Sequence, residues 1–93
     1  LICVMEESYL KKYYEILNYL RKNNINSEIF LDSKKKLSKQ LDYGNRRKLP
    51  VAIICGENEF KDEKLIIKKL NSSKENDQLV INRKDLINEI SKL

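Results

Sequence analysis

Histidine and tryptophan are absent from this 93-residue chain, which also holds only two glycines, one proline and two cysteines. Without histidine or a Cys-x-x-Cys pair, it lacks the usual zinc-binding motifs and the Ser-His or Cys-His pairs of nucleophilic catalysis. Two glycines are too few for a P-loop or a Rossmann phosphate loop. No apolar run approaches the roughly 18 residues that span a membrane, and no signal-peptide pattern opens the chain. We expect a non-catalytic domain with no metal, no cofactor of its own and no membrane partner.

The length fits a single domain, since domains average about 150 residues, and one core needs neither metal nor disulfide at this size. The chain lacks an initiator methionine and opens inside the apolar run of residues 1–5. We interpret it as a fragment of a larger protein, although a processed chain would look the same. Cys3 and Cys55 both lie in apolar runs, which favours buried thiols, and a disulfide stays open if their strands are neighbours.

The positive charge is concentrated in one short stretch. Residues 33–48 hold seven basic residues and one acid, Asp42, so this window carries +6, whereas the whole chain carries +5. Such a concentration is typical of a surface that binds a polyanion. The fifteen lysines also fit the codon bias of an AT-rich genome, but codon bias does not explain why the basic residues are segregated.

Hydrophobic periodicity predicts one α/β unit with the order β-α-β-α-β-β-β-α. The predicted strands are residues 1–5, 25–31, 51–55, 64–70 and 78–81. The first predicted helix has its N-cap at Ser8 and ends at about residue 22. The second runs from about residue 35 to residue 48, after a turn and cap at residues 32–33. The third begins at a capping box formed by Asn82 and Asp85. Right-handed crossovers make the first three strands parallel, and the last two form a hairpin whose loop is residues 71–77.

Gly44 and Pro50 stand out near the junction of the second predicted helix and the third predicted strand. Gly44 lies inside the predicted helix, where glycine costs about 1 kcal/mol relative to alanine. On the inward face with Leu37 and Leu41, this cost favours close packing against the sheet or a helix end, and a neutral loss of a larger side chain stays open. Pro50 ends the helix, and the unbroken apolar run Val51–Cys55 predicts a central strand covered on both faces.

Two groups of side chains have both a functional and a structural interpretation. Glu57 and Glu59 follow the central strand, where α/β sheets bind ligands, and they form either an acid/base pair or a solvated loop. The tyrosines of the first helix form either a stacking platform for bases or, as their helical spacing favours, part of the core. These tyrosines are Tyr9, Tyr13, Tyr14 and Tyr19.

The stretch from residue 33 to residue 59 carries a family resemblance. Its helix reads Lys36-Leu37-Ser38-Lys39-Gln40-Leu41-Asp42-Tyr43-Gly44, and after Leu49-Pro50 the apolar strand ends in Gly56-Glu57-Asn58-Glu59. This ordered set resembles the C-terminal anticodon-binding domain of the histidyl-tRNA synthetases, over essentially all 93 residues. The Lys-Gln-Leu-x-Tyr element favours the histidyl branch over the threonyl, prolyl and glycyl synthetases. Gly44 replaces the usual alanine, and the first strand leads directly into Glu6-Glu7 without the usual proline-glycine turn.

The resemblance implies a three-layer α/β/α fold with a five-stranded mixed sheet whose fourth strand is antiparallel to the others. It implies that the domain binds the anticodon stem-loop of a histidine tRNA. Catalysis, with ATP and Mg²⁺, would belong to a separate domain of a cytoplasmic class II histidine–tRNA ligase. The parent protein would be a homodimer held together mainly by its catalytic domain, so that the isolated domain can be monomeric.

The resemblance also assigns site residues. The last glutamate of the G-x-x-E turn and a basic residue on the next strand contact anticodon bases in related synthetases, and these positions match Glu59 and Lys68. The looser RNA-binding candidates are Glu57, Lys69, Lys35, Lys36, Lys39, Gln40, Tyr43, Arg46 and Arg47. An ionised carboxylate accepts hydrogen bonds from base amino groups, whereas lysine and arginine bind phosphate and position the RNA.

Alternatives stay open for several of these assignments. The basic residues of the helix either contact tRNA directly or steer it as a solvated charge. Tyr43 either stacks on a base or is partly buried. At the level of the whole domain, the alternative is a protein-interaction or regulatory domain of a synthetase-like paralogue that no longer binds tRNA. A flavodoxin-like module is a third option, against which the missing phosphate loop argues.

Overall fold

Four strands and four α-helices are present in the computed structural model, which describes residues 1–30, 32, 35–70 and 78–92. The strands are β1 (Ile2–Val4), β2 (Val51–Cys55), β3 (Lys64–Lys69) and β4 (Gln78–Asn82). The helices are α1 (Leu10–Lys22), α2 (Leu37–Arg46), α3 (Glu57–Lys61) and α4 (Leu86–Ser91). Two short 3₁₀ turns, Glu7–Tyr9 and Arg83–Asp85, lead into α1 and α4.

The strands form one mixed sheet in the order β1-β2-β3-β4. β1 and β2 are parallel, as the connection through α1 and α2 requires. β3 is antiparallel to both β2 and β4, so the strand that begins at Lys64 runs against its neighbours, as the resemblance implied. The predicted hairpin of β3 and β4 is confirmed, while its loop, residues 71–77, lies outside the described residues.

Residues 25–31, predicted as a strand, contribute one parallel bridge, between Ile29 and Ile2. Ile2 donates its N–H to the carbonyl of Glu28 (2.8 Å) and accepts a hydrogen bond from the N–H of Phe30 (3.0 Å). Val4 presents its backbone to the same edge because alternate residues of a strand bond the same neighbour. There the side-chain amide of Gln40 bonds both the N–H and the C=O of Val4, each at 2.8 Å. Five strands are therefore not confirmed among the described residues, and a side chain completes the edge instead.

Helices cover both faces of the sheet because side chains alternate along each strand. One face packs Ile2, Val4, Ile53 and Leu65 against α1 and α4, through residues such as Ile16, Leu20 and Leu86. The other face packs Cys3, Ala52 and Ile54 against Leu37 and Leu41 of α2, with Leu70 beside them. β2 is covered on both faces, which confirms the prediction for the run Val51–Cys55.

Two details of the helix ends differ from the predictions, and a third is not described. Ser8 lies inside the Glu7–Tyr9 turn, and α1 begins at Leu10 without a side-chain cap. The capping box of Asn82 and Asp85 does not form, because the Arg83–Asp85 turn intervenes and Asn82 makes no side-chain cap hydrogen bond. The cap expected at Ser33 lies outside the described residues.

Cys3 and Cys55 are free, buried thiols on neighbouring strands. Cys3 is opposite Ile54 and Val4 is opposite Cys55, so the two sulfur atoms belong to the packing on opposite faces of the sheet. The disulfide that the sequence left open therefore does not form. Within the described ranges, no helix is both long enough and apolar enough to cross a membrane.

Candidate nucleic-acid interface

α2 buries one side and exposes a basic one. Leu37, Leu41 and Gly44 share its inward side, at spacings of four and three residues. A Cβ at Gly44 would lie 2.7 Å from Cδ1 of Leu70 and 3.2 Å from Cδ2 of Leu1. The close packing expected at Gly44 is therefore confirmed, and it holds the helix directly against the sheet.

The outward side of α2 and its flanks carry the positive charge. Lys39 and Arg46 of the helix project in nearly the same direction at about 100° per residue. Lys35 lies two residues before the helix and lines one groove together with them, and we call these three residues the basic ridge. The neighbouring cations Lys36, Arg47 and Lys48 are also exposed. Asp42, exposed on the same side, is the one acid of the helix. The charge concentration seen in the sequence is thus a solvent-facing surface on the helix.

Gln40 was predicted as an RNA-binding residue, and the structure corrects this prediction. Its side chain is fully buried and bonds Val4 twice, while its Nε2 also donates to the carbonyl of Lys35 (3.1 Å). A side chain with no solvent-accessible surface is not available to RNA. Gln40 instead attaches the start of α2 to β1, and so fixes the position of the basic ridge.

Tyr43 belongs to a cluster beside the ridge. Its hydroxyl donates to Oε1 of Glu28 (2.9 Å) and accepts a hydrogen bond from Nη1 of Arg47 (3.1 Å). The Arg47 guanidinium lies 5.6 Å from the centre of the Tyr43 ring, and Phe30 meets that ring edge to face at 5.3 Å. The hydrogen bond to Glu28 is the main cause of the raised pKa of Tyr43. The half-buried environment that the sequence left open for Tyr43 is the one observed.

Among the described residues, Arg47 has side-chain partners within the chain. Besides its contact with Tyr43, its Nη2 lies 3.4 Å from Oε2 of Glu28. Exposed ion pairs of this kind contribute little to stability, about 0–1 kcal/mol, so the pair mainly orients the side chains. Arg47 therefore supports Tyr43 in addition to contributing charge.

The Gly56-Glu57-Asn58-Glu59 segment is helical, where the sequence suggested a solvated loop. Gly56 is the N-cap of α3, and its N–H donates to Oε1 of Glu59 (3.2 Å). Glu57 is exposed and pairs with Lys61 at 3.4 Å, one turn later. The ring of Phe60 anchors α3, stacked on Tyr9 at 4.7 Å. The two carboxylates thus have separate partners, and Glu59 helps to form its own helix.

The four tyrosines of the first predicted helix divide between core and surface. Tyr13 is fully buried, and its hydroxyl donates to the Cys55 carbonyl and accepts from the N–H groups of Met5 (3.1 Å) and Glu6 (3.3 Å). Tyr9 is half-buried on Phe60. Tyr14 and Tyr19 are about 40% and 45% exposed. The core interpretation therefore holds for Tyr13 and in part for Tyr9.

Lys68 and Lys69 lie toward the end of β3 that is remote from α3. Lys68 is opposite Ala52, three residues before Cys55, so its backbone is about 10 Å along the sheet from the end of β2. Its side chain is on the α2 face, whereas Lys69 alternates to the other face. On that α2 face, Val80 of β4 is 57% exposed, because α2 packs mainly over β1 and β2. The register therefore separates Lys68 from Glu59 along the sheet.

Phe30 was not singled out in the sequence, yet it lies beside the ridge. Together with Lys35, Lys39, Asp42, Tyr43 and Arg46 it lines a groove of about 480 Å³. The signal was present in the alternation of residues 25–31, which places Phe30 and Ile29 on opposite sides. Only the tertiary structure brings Phe30 to α2.

A mixed α/β sheet that carries a basic helix on its surface defines the class of a polyanion-binding domain. The model of a family described as "Anticodon binding domain" matches residues 1–93, and the chain belongs to this family.

The relatives and solved structures agree with this assignment. The chain is 63% identical over 93 residues to a histidine–tRNA ligase of Pelagibacter ubique, covering 99% of this chain and 20% of that protein. It is 34% identical over 77 residues to a histidine–tRNA ligase of Bacteroides fragilis, covering 83% of this chain and 16% of that protein. The chain thus spans between about a sixth and a fifth of the length of these relatives.

Two solved structures share the fold. A histidyl-tRNA synthetase from Nostoc sp. PCC 7120 superposes with a TM-score of 0.87 at 24% identity, over 98% of this chain and 21% of that one. The RNA binding domain of a threonyl-tRNA synthetase from Cryptosporidium parvum superposes with a TM-score of 0.85 at 14% identity, over 98% and 22% of the two chains. At these identities the likeness concerns the fold alone.

Proposed function

We propose that this chain binds the anticodon stem-loop of a histidine tRNA, as the non-catalytic anticodon-binding domain of a histidine–tRNA ligase. The observation that carries the proposal is the basic ridge, which turns the positive window of the sequence into one exposed surface. The 63% identity to a histidine–tRNA ligase supports the histidine tRNA as the partner. The alternative, a paralogue domain that no longer binds tRNA, is not favoured by the family match or by this identity.

The two kinds of side chain have different roles in this proposal. Lys35, Lys39 and Arg46, with Lys36 beside them, bind phosphates and supply affinity that does not depend on sequence. Glu59, Glu57, Lys68 and Lys69 discriminate among bases of the loop, which are splayed out and accessible in single-stranded RNA. Glu59 accepts base amino groups through the part of its carboxylate that is not bonded to Gly56. Gln40 and Arg47 act by holding α2 and Tyr43 in place.

The parent protein is proposed by the same reasoning. Its ATP, Mg²⁺ and histidine would be handled by a separate catalytic domain, since this chain spans only between about a sixth and a fifth of the length of the relatives. We place it in the cytoplasm, as a homodimer. A five-stranded sheet, as the resemblance implied, would count the Ile29 segment, which bridges β1 at Ile2, as its fifth strand.

The proposal is tested by titrating the chain with fluorescent stem-loops that differ only in the anticodon. Affinity should be highest for the histidine anticodon and should fall with salt, with a slope of about −0.7 for each phosphate contact. Lys35→Glu with Lys39→Glu should lower affinity on every stem-loop and make the slope shallower by about 1.4. The matched control is Lys11→Glu with Lys22→Glu, which makes the same change in charge at exposed positions of α1.

The division of roles makes a second prediction in the same assay. Glu59→Gln keeps a polar side chain at the start of α3 but removes the charge, so it should reduce discrimination among anticodons more than it reduces affinity. No binding at low salt, or binding that is independent of salt, would refute the tRNA proposal. An equal loss on all anticodons from the Glu59 variant and the double lysine variant would refute the division of roles.

A further inference from the structure

We propose that the groove between Phe30 and the basic ridge holds one unpaired nucleotide of the bound RNA, with its base stacked on Phe30 and its phosphates on Lys35, Lys39 and Arg46. This inference rests on the proposed function and adds a site to it. It lies on the flank of α2 that faces the Ile29 segment, away from β3 and Lys68.

Phe30 has the environment of a contact residue rather than of a core residue. It is half-buried, and it belongs to neither of the two hydrophobic clusters found among the described residues. Its neighbour Ile29 packs into the core, so the alternation of the chain turns Phe30 to the side of α2. An aromatic ring that is kept out of the core but beside exposed cations suits a base, which every nucleotide offers as a flat surface for stacking.

Tyr43 packs against this ring and orients it. It meets Phe30 edge to face at 5.3 Å, while Glu28 and Arg47 hold the Tyr43 hydroxyl. A platform whose orientation is already fixed loses little conformational entropy when the base binds. Glu28 and Arg47 therefore orient Phe30 indirectly in this proposal, because they hold Tyr43 in place.

The charges and the size of the groove favour a nucleotide. Three cations, Lys35, Lys39 and Arg46, line it together with one acid, Asp42, so its lining carries a net charge of +2. Its volume of about 480 Å³ lies in the range of small-ligand sites, which is about 300–1,000 Å³. Basic side chains that follow the backbone, combined with an aromatic ring for the base, are the usual composition of single-strand binding sites.

The test is a double-mutant cycle between Phe30 and the RNA. Stem-loops that carry an abasic nucleotide at one loop position at a time are titrated against the wild-type chain, Phe30→Leu and Phe30→Trp. Phe30→Leu keeps an apolar side chain of similar size but no stacking surface, and should weaken binding of the intact stem-loop roughly tenfold. Phe30→Trp should retain the affinity. Tyr19→Leu, which removes an aromatic ring that is 45% exposed on α1, should leave it unchanged.

The abasic series identifies the base. At one loop position, removal of the base should weaken wild-type binding roughly tenfold but should add little to the loss from Phe30→Leu, because both changes remove the same contact. A Phe30→Leu chain that binds within twofold of wild type would overturn the inference and leave the proposed function standing. A loss that is the same on every abasic stem-loop would also overturn it, since it would indicate an effect on folding or on charge. No binding by the wild-type chain at low salt would refute both proposals.

Discussion

Replacing Gln40 by leucine tests how the basic helix is attached to the sheet. The amide of Gln40 bonds the N–H and the C=O of Val4, at the edge of β1 where a fifth strand would otherwise pair. Val4 is fully buried, so water cannot replace these hydrogen bonds. Leucine has a similar volume and leaves no large cavity, which isolates the loss of hydrogen bonds from the loss of packing.

The size of the effect follows from the groups left without partners. Each buried backbone group that loses its hydrogen bond costs about 1–3 kcal/mol, and Val4 would lose two. Burying leucine is more favourable than burying an amide, which offsets part of this cost. We expect Gln40→Leu to lower the free energy of unfolding by about 3 kcal/mol. That is a large fraction of the roughly 5–14 kcal/mol typical of a domain of this length.

The assay is urea unfolding followed by circular dichroism. The midpoint should fall while the slope stays constant, because a changed slope would indicate a different amount of surface exposed on unfolding. Ser38→Leu, an exposed position on the same helix, is the control and should change stability by less than about 0.5 kcal/mol. A loss below about 1 kcal/mol for Gln40→Leu would show that the two hydrogen bonds to Val4 do not hold the helix in place.

Gln40→Glu adds a pH dependence to the same test. A protonated carboxyl can donate to the Val4 carbonyl and accept from its N–H, whereas an ionised one faces two carbonyls, of Val4 and Lys35. Burial raises the pKa of this carboxyl above the ordinary value of about 4.3. Its stabilising effect is therefore complete below about pH 4.3 and is lost as the pH rises through the folded-state pKa. The wild type, with a neutral amide, should not show this loss.

Two further predictions concern buried groups next to or within the sheet, namely the hydroxyl of Tyr13 on α1 and the thiols of Cys3 and Cys55. Tyr13→Phe removes a hydroxyl that is hydrogen-bonded to the backbone of Cys55, Met5 and Glu6, and it should lower the free energy of unfolding by about 1–3 kcal/mol. In the same urea assay, the control Tyr14→Phe, at an exposed position of α1, should have little effect. Burial raises the pKa of Cys3 from 9.0 to about 11 and that of Cys55 from 9.0 to about 12. The two neutral thiols therefore make their full contribution to the free energy of unfolding below about pH 9, and this contribution falls as the pH rises toward the two raised pKa values. Replacing both cysteines by alanine should make the free energy of unfolding fall less steeply above pH 9 than in the wild type, and equal slopes would contradict the assignment.

The sequence by itself determined four strands, three of the four α-helices and the location of the charge. α1, α2, α4, the hairpin and the central strand were predictable because their hydrophobic periods are local, whereas the strand at residues 25–31 was reduced to one bridge and the helix α3 was missed. Gly44 was predictable as a close contact because a glycine in a helix interior needs a compensating reason. The family was also recognisable, since its motif occupies consecutive positions.

Only the tertiary structure decided which side chains face solvent and which side chains take the place of a neighbouring strand by bonding backbone groups. Glutamine is a residue type that is usually exposed, and the burial of Gln40 depends on its hydrogen bonds to Val4, 36 positions earlier in the chain. That distant contact also accounts for the single bridge that the Ile29 segment makes among the described residues, because Gln40 occupies the next hydrogen-bonding position on β1. Phe30 and the basic ridge meet for the same reason, since β1 and α2 bring them together. Local periodicity specifies an element and its apolar face, but hydrogen bonds between distant residues specify the surface that the folded chain presents to solvent.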